Sequence, residues 1–191
     1  PNQLLAFARR QVVQPRLQDL CESLTEVVQL VGRVIGEDVR IEIQTSASPV
    51  LATVDPVQLQ QAAMNLLLNA RDAMPRGGCV RVGAELRTLP DELVTHHARI
   101  PPGEYSVVWV HDEGTGMDAE TFDRLFEPFY TTKSRGHGIG LATVYGIAKQ
   151  NGGHVTVESS PGHGSRFCLF LPKACEEIAP GTQRADLALP P

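Results

Sequence analysis

The chain has 191 residues, 42% hydrophobic and 20% charged, with a net charge of −5 and an isoelectric point near 5.7. That length allows one domain with a real core and ragged ends, and the acidic balance argues against a nucleic-acid-binding surface. No apolar run approaches the roughly 20 residues of a bilayer-spanning helix, and the four cysteines (Cys21, Cys79, Cys168, Cys175) contain no Cys-x-x-Cys pair, as fits free thiols in a reducing, cytoplasmic setting.

The first residue is Pro1 and no signal-peptide pattern follows it, which reads as a piece of a longer protein. Residues 1–14, PNQLLAFARRQVVQ, look like the end of a helix that Pro15 stops. A second helix is predicted over Leu17–Ile35, with Leu20, Leu24, Val27, Val28, Val31 and Ile35 at helical spacing before Gly36. Val39, Ile41 and Ile43 alternate with Arg40 and Glu42 as a half-buried strand, and Val50–Val54 is a further candidate strand.

Asp55–Met74, DPVQLQQAAMNLLLNARDAM, reads as a helix that the rest of the chain is organised around. Asp55 is a natural N-cap, Pro56 suits the first helical position, and Gln58 completes a capping-box-like pair. At about 100° per residue, Gln58, Gln61, Asn65, Asn69 and Asp72 fall within roughly 80° of one another. Leu59, Ala63, Leu66, Leu67, Ala70, Ala73 and Met74 take the opposite arc. Asn is a poor mid-helix residue, so a polar face of amides and one carboxylate points towards function. Uncharged carbonyl ligands suit a hard cation that also holds phosphate oxygens, as Mg²⁺ does with a nucleotide.

After the turn Pro75–Gly78, Cys79–Leu86 reads as a strand. Arg87–Glu104, with Pro90, Pro101, Pro102 and Gly103, reads as a surface excursion, and its His96-His97 pair as solvated rather than metal-binding. Tyr105–His111, YSVVWVH, is apolar enough for a central strand buried on both faces. It runs into Asp112-Glu113-Gly114-Thr115-Gly116-Met117. A carboxylate held at a strand end can accept from an exocyclic amine such as that of adenine, and the glycines permit close backbone approach; an ordinary Asp/Gly turn is the alternative. From Asp118 a short helix leads to LFEPFYTTK (Leu125–Lys133), and Gly136-His137-Gly138-Ile139-Gly140 opens a helix over Leu141–Gln150, ended by Gly152 and Gly153. Bare backbone N–H groups and a helix N-terminus suit phosphate, with a plain loop as the alternative reading. The run matches neither a Walker A loop nor a dinucleotide fingerprint. Lys133 and Arg135 flank it and offer positive charge to phosphoryl oxygens. Strands are predicted at His154–Glu158 and Ser165–Leu171, and a Pro-rich tail follows Pro172.

Taken together, NLLLNARDAM, DEGTGM, LFEPFYTTK, GHGIGLATVYGIAKQNGG and ESSPGHGSRFCLFLP resemble the N, G1, F, G2 and G3 boxes of sensor histidine kinases, nearest to nitrogen-regulation-type and hybrid kinases. These belong to the superfamily that includes gyrase, Hsp90 and MutL. The resemblance implies an α+β fold: a two-layer sandwich with a mixed, mostly antiparallel sheet covered on one face by helices (the Bergerat-type ATP-binding fold). It divides the chain into the exit of a dimerisation helix (1–16), an ATP-binding catalytic domain (17–173) and a flexible tail (174–191). ATP and Mg²⁺ are the implied cofactors. Asn65 and Lys133 would serve catalysis, and Asn69 would bind Mg²⁺ beside Asn65 and Asp72. Asp112 would recognise adenine, Gly114 and Gly116 would shape that wall, and Ser165 would lie near it. Phe126 and Phe129 would anchor a lid. Thr131, Thr132 and Lys133 would approach the phosphates, and Gly136, His137, Gly138, Ile139, Gly140 and Leu141 would wrap them.

Hydrolytic relatives carry a Glu general base where this chain has Asn65, and an amide cannot take a proton from water. Two departures from the family pattern stand out: a short segment between the F and G2 boxes, and His137 where Thr is usual. None of the six histidines (96, 97, 111, 137, 154, 163) lies in an acceptor context. The implied partners are therefore a dimerisation and phosphoacceptor domain and a response regulator receiver domain. The fragment would be monomeric with little activity alone, and the parent a homodimer. A nucleotide-binding regulatory module without transfer and a hydrolytic ATPase are the alternatives.

Overall fold

The computed structural model describes residues 13–44, 46–133 and 137–174; the predicted helix end before residue 13 and the tail beyond residue 174 lie outside them. Five strands form the main sheet: β2 (Val39–Gln44), β4 (Gly78–Leu89), β7 (Gly103–Asp112), β8 (His154–Ser159) and β9 (Ser165–Pro172), in the order β2-β4-β7-β9-β8. β2 runs parallel to β4 and all other neighbours are antiparallel, so the sheet is mixed and mostly antiparallel. A smaller pair joins β1 (Arg16–Asp19) to β3 (Leu51–Val54). The helices are α1 (Leu20–Val31), α2 (Pro56–Ala73), α3 (Ala119–Arg124) and α4 (Gly140–Gln150).

The strand period of two decides which face each helix meets. Along β9, Phe167, Leu169 and Leu171 join the large core with α1, α2 and α4, whereas Cys168 and Phe170 join a second cluster on the opposite face. β7 splits the same way, with Val108 and Val110 towards the helices and Tyr105, Val107 and Trp109 towards the second cluster. Its burial on both faces bears out the reading of a central strand.

α2 begins as its sequence predicts. Asp55 Oδ1 accepts from the backbone N–H of Val57 at 2.8 Å and of Gln58 at 3.3 Å, with Pro56 at the start of the helix. The capping-box expectation for Gln58 fails. Its amide instead accepts from Asn151 Nδ2 at 3.0 Å and donates to Gln150 Oε1 at 2.7 Å, tying the start of α2 to the end of α4.

Two further expectations are corrected. The helix predicted over Leu17–Ile35 is shorter: residues 16–19 are strand β1, and Asp19 caps α1 through Oδ1, which accepts from Cys21 N at 2.9 Å. Leu17, Leu20 and Leu24 suit a helix by spacing, but Leu17 is exposed and its backbone pairs with Thr53; pairing with a distant strand overrides the local pattern. Nor is Arg87–Glu104 a loose excursion. β4 continues to Leu89, and residues 93–100 form a hairpin of β5 (Leu93–Val94) and β6 (Arg99–Ile100). Ala98 and the fully buried Ile100 from this hairpin cover Tyr105, Val107, Trp109 and Phe170.

Leu67 is fully buried where α2 meets the sheet. Leu67→Ala is expected to cost about 3 kcal/mol, read as a lower urea midpoint with an unchanged m value.

Candidate functional site

One cavity of about 560 Å³ lies between α2, the segment after β7, and the segment leading into α4. That volume suits a nucleotide-sized ligand. Asn65, Asn69 and Asp72 line it from α2, Gly116 and Ser165 from the strand ends, and Thr131, Thr132, Lys133, His137, Gly138, Ile139, Gly140 and Leu141 from the opposite rim. Residues separated by up to a hundred positions thus share one wall. Gly136 lies outside the described residues.

Lys133 Nζ donates to Asn69 Oδ1 at 2.8 Å and to Asp72 Oδ2 at 3.2 Å. The two oxygens already converge on one cationic centre, and an amide carbonyl beside a carboxylate is a donor set that fits Mg²⁺. Burial pushes the Asp72 carboxyl up, but hydrogen bonds from Arg71 and the charge of Lys133 outweigh it and hold it below its ordinary value. Asp72 is therefore an anion at neutral pH.

Across the cavity, α4 starts at Gly140 with Ile139 as N-cap and without a side-chain capping bond. Its first N–H groups lack the partner that a capping Ser or Asp supplies, which suits an anion. Asn65 Nδ2 donates to the Gly140 carbonyl at 3.2 Å, linking the middle of α2 to this helix start. Phe129 N donates to the Gly138 carbonyl at 2.8 Å. That bond closes a short loop between the two motifs.

The Asp112 wall is built by backbone contacts. Asp112 is 1% exposed, and its Oδ1 accepts from Gly114 N at 2.9 Å. Thr115 N donates to the Ala73 carbonyl at 2.9 Å, and Gly162 N to the Thr115 carbonyl at 2.7 Å, so the loop is clamped between α2 and the β8–β9 turn. Gly116 has φ 65°, and a Cβ there would lie 1.9 Å from the Ser160 carbonyl oxygen. No other residue fits that approach.

Four predicted residues do not line the cavity. Asp112 and Gly114 lie beneath its wall, with Asp112 paired in register to Ser165, a lining residue. Phe126 is half-buried against the core and the Tyr145 ring, and the Phe129 side chain is 76% exposed. The tie of Phe129 to the lid runs through its backbone. Sequence reasoning missed Leu68, Ala73, Thr115, Met117, Asp118, Thr121, Leu125 and Tyr130 as lining residues. Helical spacing marks Leu68, which follows Asn65 by three, whereas Ala73, assigned above to the apolar arc, stands at the edge of that arc four residues after Asn69 and lines the cavity. Tyr130, with Arg124 stacked 4.1 Å above its ring, carries no such signal.

Burial holds the Asp112 carboxyl above its ordinary value, against the Gly114 N–H and His111. The ionised form is thus less stable folded than unfolded. This penalty is absent below the unfolded carboxyl range and complete once pH rises past the raised folded value. Asp112→Asn is expected to raise the melting temperature of the ligand-free domain at neutral pH. The gain should shrink as pH falls through that range, as calorimetry across pH will show.

The family described as "Histidine kinase-, DNA gyrase B-, and HSP90-like ATPase" matches residues 54–174. Among curated relatives, the sensor kinase CckA of Brucella abortus (strain 2308) is 40% identical over 97% of this chain and 19% of its own length. The sensor histidine kinase ZraS of Klebsiella oxytoca is 35% identical over 90% of the chain and 34% of its own. The chain therefore spans between about a fifth and a third of these relatives. Among solved structures, the mycobacterial sensor histidine kinase MprB shares the fold with a TM-score of 0.66 at 24% identity, covering 84% of this chain and 98% of that one. ShkA, solved full-length in complex with AMPPNP, has a TM-score of 0.65 at 24% identity, covering 85% of this chain and 31% of that one. With its N-box helix, glycine loops and sandwich fold, the chain belongs to the histidine kinase-, DNA gyrase B- and HSP90-like ATPase family, and its relatives are sensor histidine kinases.

Proposed function

We infer that this chain is the ATP-binding catalytic domain of a sensor histidine kinase, transferring the γ-phosphoryl group to a histidine of a separate dimerisation and phosphoacceptor domain. The observation that carries this reading is the opposition, across one cavity, of the α2 oxygens and the uncapped start of α4, with an amide at Asn65 instead of a carboxylate.

In this reading Asp112 accepts a hydrogen bond from the exocyclic amine of adenine, and Gly114 and Gly116 let the backbone approach the base. The N–H groups from Gly138 to Leu141 hold phosphate oxygens, and Asn65 fixes that helix start through Gly140. Asn69 and Asp72 would hold Mg²⁺, which when bound would supply charge neutralisation for the phosphates. Lys133 then turns its ammonium to the γ-phosphoryl oxygens. Asn65 has no basic atom to take a proton from water, so the bound nucleotide waits for an imidazole nucleophile positioned from outside. The fragment acts as a cytoplasmic monomer, the parent as a homodimer, and a response regulator receiver domain takes the phosphoryl group onward. Among the described residues no helix is long and apolar enough to cross a membrane.

Calorimetric titration of ATP with Mg²⁺ and with chelator tests the pocket. Asn69→Ala is expected to erase the Mg²⁺-dependent gain in affinity. Asp112→Ala should weaken binding about 10–100-fold, since it leaves a buried donor of the base unpaired. Adding the acceptor domain with γ-labelled ATP should place label on its histidine. Absence of nucleotide binding overturns the reading, and sustained phosphate release without acceptor replaces it with a hydrolytic ATPase. Binding without label transfer leaves a regulatory nucleotide-binding module.

A further inference from the structure

The hairpin at residues 93–100 presents two adjacent histidines at its tip. Thr95 N donates to the Ala98 carbonyl at 2.8 Å, and Ala98 N donates back to Thr95 Oγ1 at 3.1 Å, so His96 and His97 are the two central residues of a closed turn. The hairpin base is fixed independently of that tip. Ile100 is fully buried, Ala98 is nearly so, and Tyr105 Oη donates to the Pro101 carbonyl at 3.0 Å.

The tip reaches the short helix that precedes the lid. The His97 ring meets the Phe122 ring at 4.8 Å and the Phe126 ring at 5.2 Å, the second at 90°. His96 meets Phe122 at 5.4 Å, and its Nε2 lies 3.0 Å from Asp123 Oδ1. The Phe126 ring continues the chain of contacts to Tyr145 of α4 at 5.1 Å. α3 has six residues and none of them is buried. A helix that short does not hold itself in water and takes its position from what it packs against.

We propose that the β5–β6 hairpin is a clamp on the base of the nucleotide lid, with His97 as a positioning residue that acts through Phe126. The aromatic chain ties both ends of the lid to the rigid sheet. Phe126 stands three residues before Phe129, whose N–H closes the loop onto Gly138, and Tyr145 stands five residues after Gly140. The His97 contacts with Phe122 and Phe126 are edge-to-face, at 61° and 90°, an orientation that ring pairs prefer, so the clamp sets an angle as well as a distance. His97 Nε2 is buried without a hydrogen-bond partner. Burial lowers the basicity of the ring, as His96 does, against the backbone at Phe122 and the charge of Asp123. The neutral imidazole is thus the form that packs here at pH 7.

The effect on nucleotide affinity rests on the function proposed above, whereas the clamp itself is read without nucleotide. Hydrogen exchange of the ligand-free domain, at residues 127–133 and 137–140, compares the unmodified chain with His97→Ala and His97→Phe. Losing the ring contacts with Phe122 and Phe126 should speed exchange in that segment about tenfold, leave the amides of β7 and β9 unchanged, and weaken ATP binding severalfold. His97→Phe should restore both protection and affinity. If His97→Ala does not fold cooperatively, His97→Leu keeps the volume without the ring and should show the same lid-selective increase. Unchanged lid exchange, or an increase spread evenly over the sheet, overturns the clamp. An unmodified chain that binds no ATP while His97→Ala still loosens the lid overturns the kinase reading and leaves the clamp standing.

Discussion

The cavity depends on one helix that is dry along one arc and wet along the other. Leu59, Ala63, Leu66, Leu67 and Ala70 press α2 onto the sheet, and burial of that arc fixes the rotation of the helix about its axis. Once the rotation is fixed, Asn65, Asn69 and Asp72 have nowhere to face but the cavity. Burial of the apolar arc supplies the stabilisation, and the amides, which add little to helix stability, are carried into place by it. The Asp55 cap and the link from Gln58 to Asn151 then set where the helix starts relative to α4.

The opposite rim has far less to hold it. Thr131, Thr132, His137, Ile139 and Gly140 are exposed, and among the described residues a backbone bond from Phe129 to Gly138 joins the two ends of this rim. A segment with few buried contacts opens at low free-energy cost, as ligand entry requires. Lys133 bridges the two sides. Its ammonium sits against Asn69 and Asp72, so positive charge already lies against the polar arc of α2.

Asp112 carries a cost to the fold. A buried carboxylate is held above its ordinary pKa at the expense of the ligand-free fold, and protonation or a hydrogen-bond donor brought to it relieves that expense. The surrounding clamps, Gly116 against Ser160 and Gly164 against the Asp112 carbonyl, keep the loop from relaxing around the charge.

Much of this is legible in the sequence. The Asp55 cap and the two arcs of α2 follow from spacing alone, and so does the two-faced burial of β7, because local periodicity and capping chemistry are properties of neighbouring residues. The motif order carried the family and the sandwich. Contacts across long stretches of chain were not legible. The strand at Arg16–Asp19 exists because Leu51–Val54 lies beside it, and the hairpin at 93–100 because Tyr105, Trp109 and Phe170 left an apolar face to cover. His97 looked like a solvated residue until the tertiary structure laid it against Phe126. The sequence by itself determined which faces were apolar and which groups could do chemistry, since both are written in residue type and period. Only the tertiary structure decided which of those faces and groups meet, because pairing between distant segments depends on the shape that the whole core leaves open.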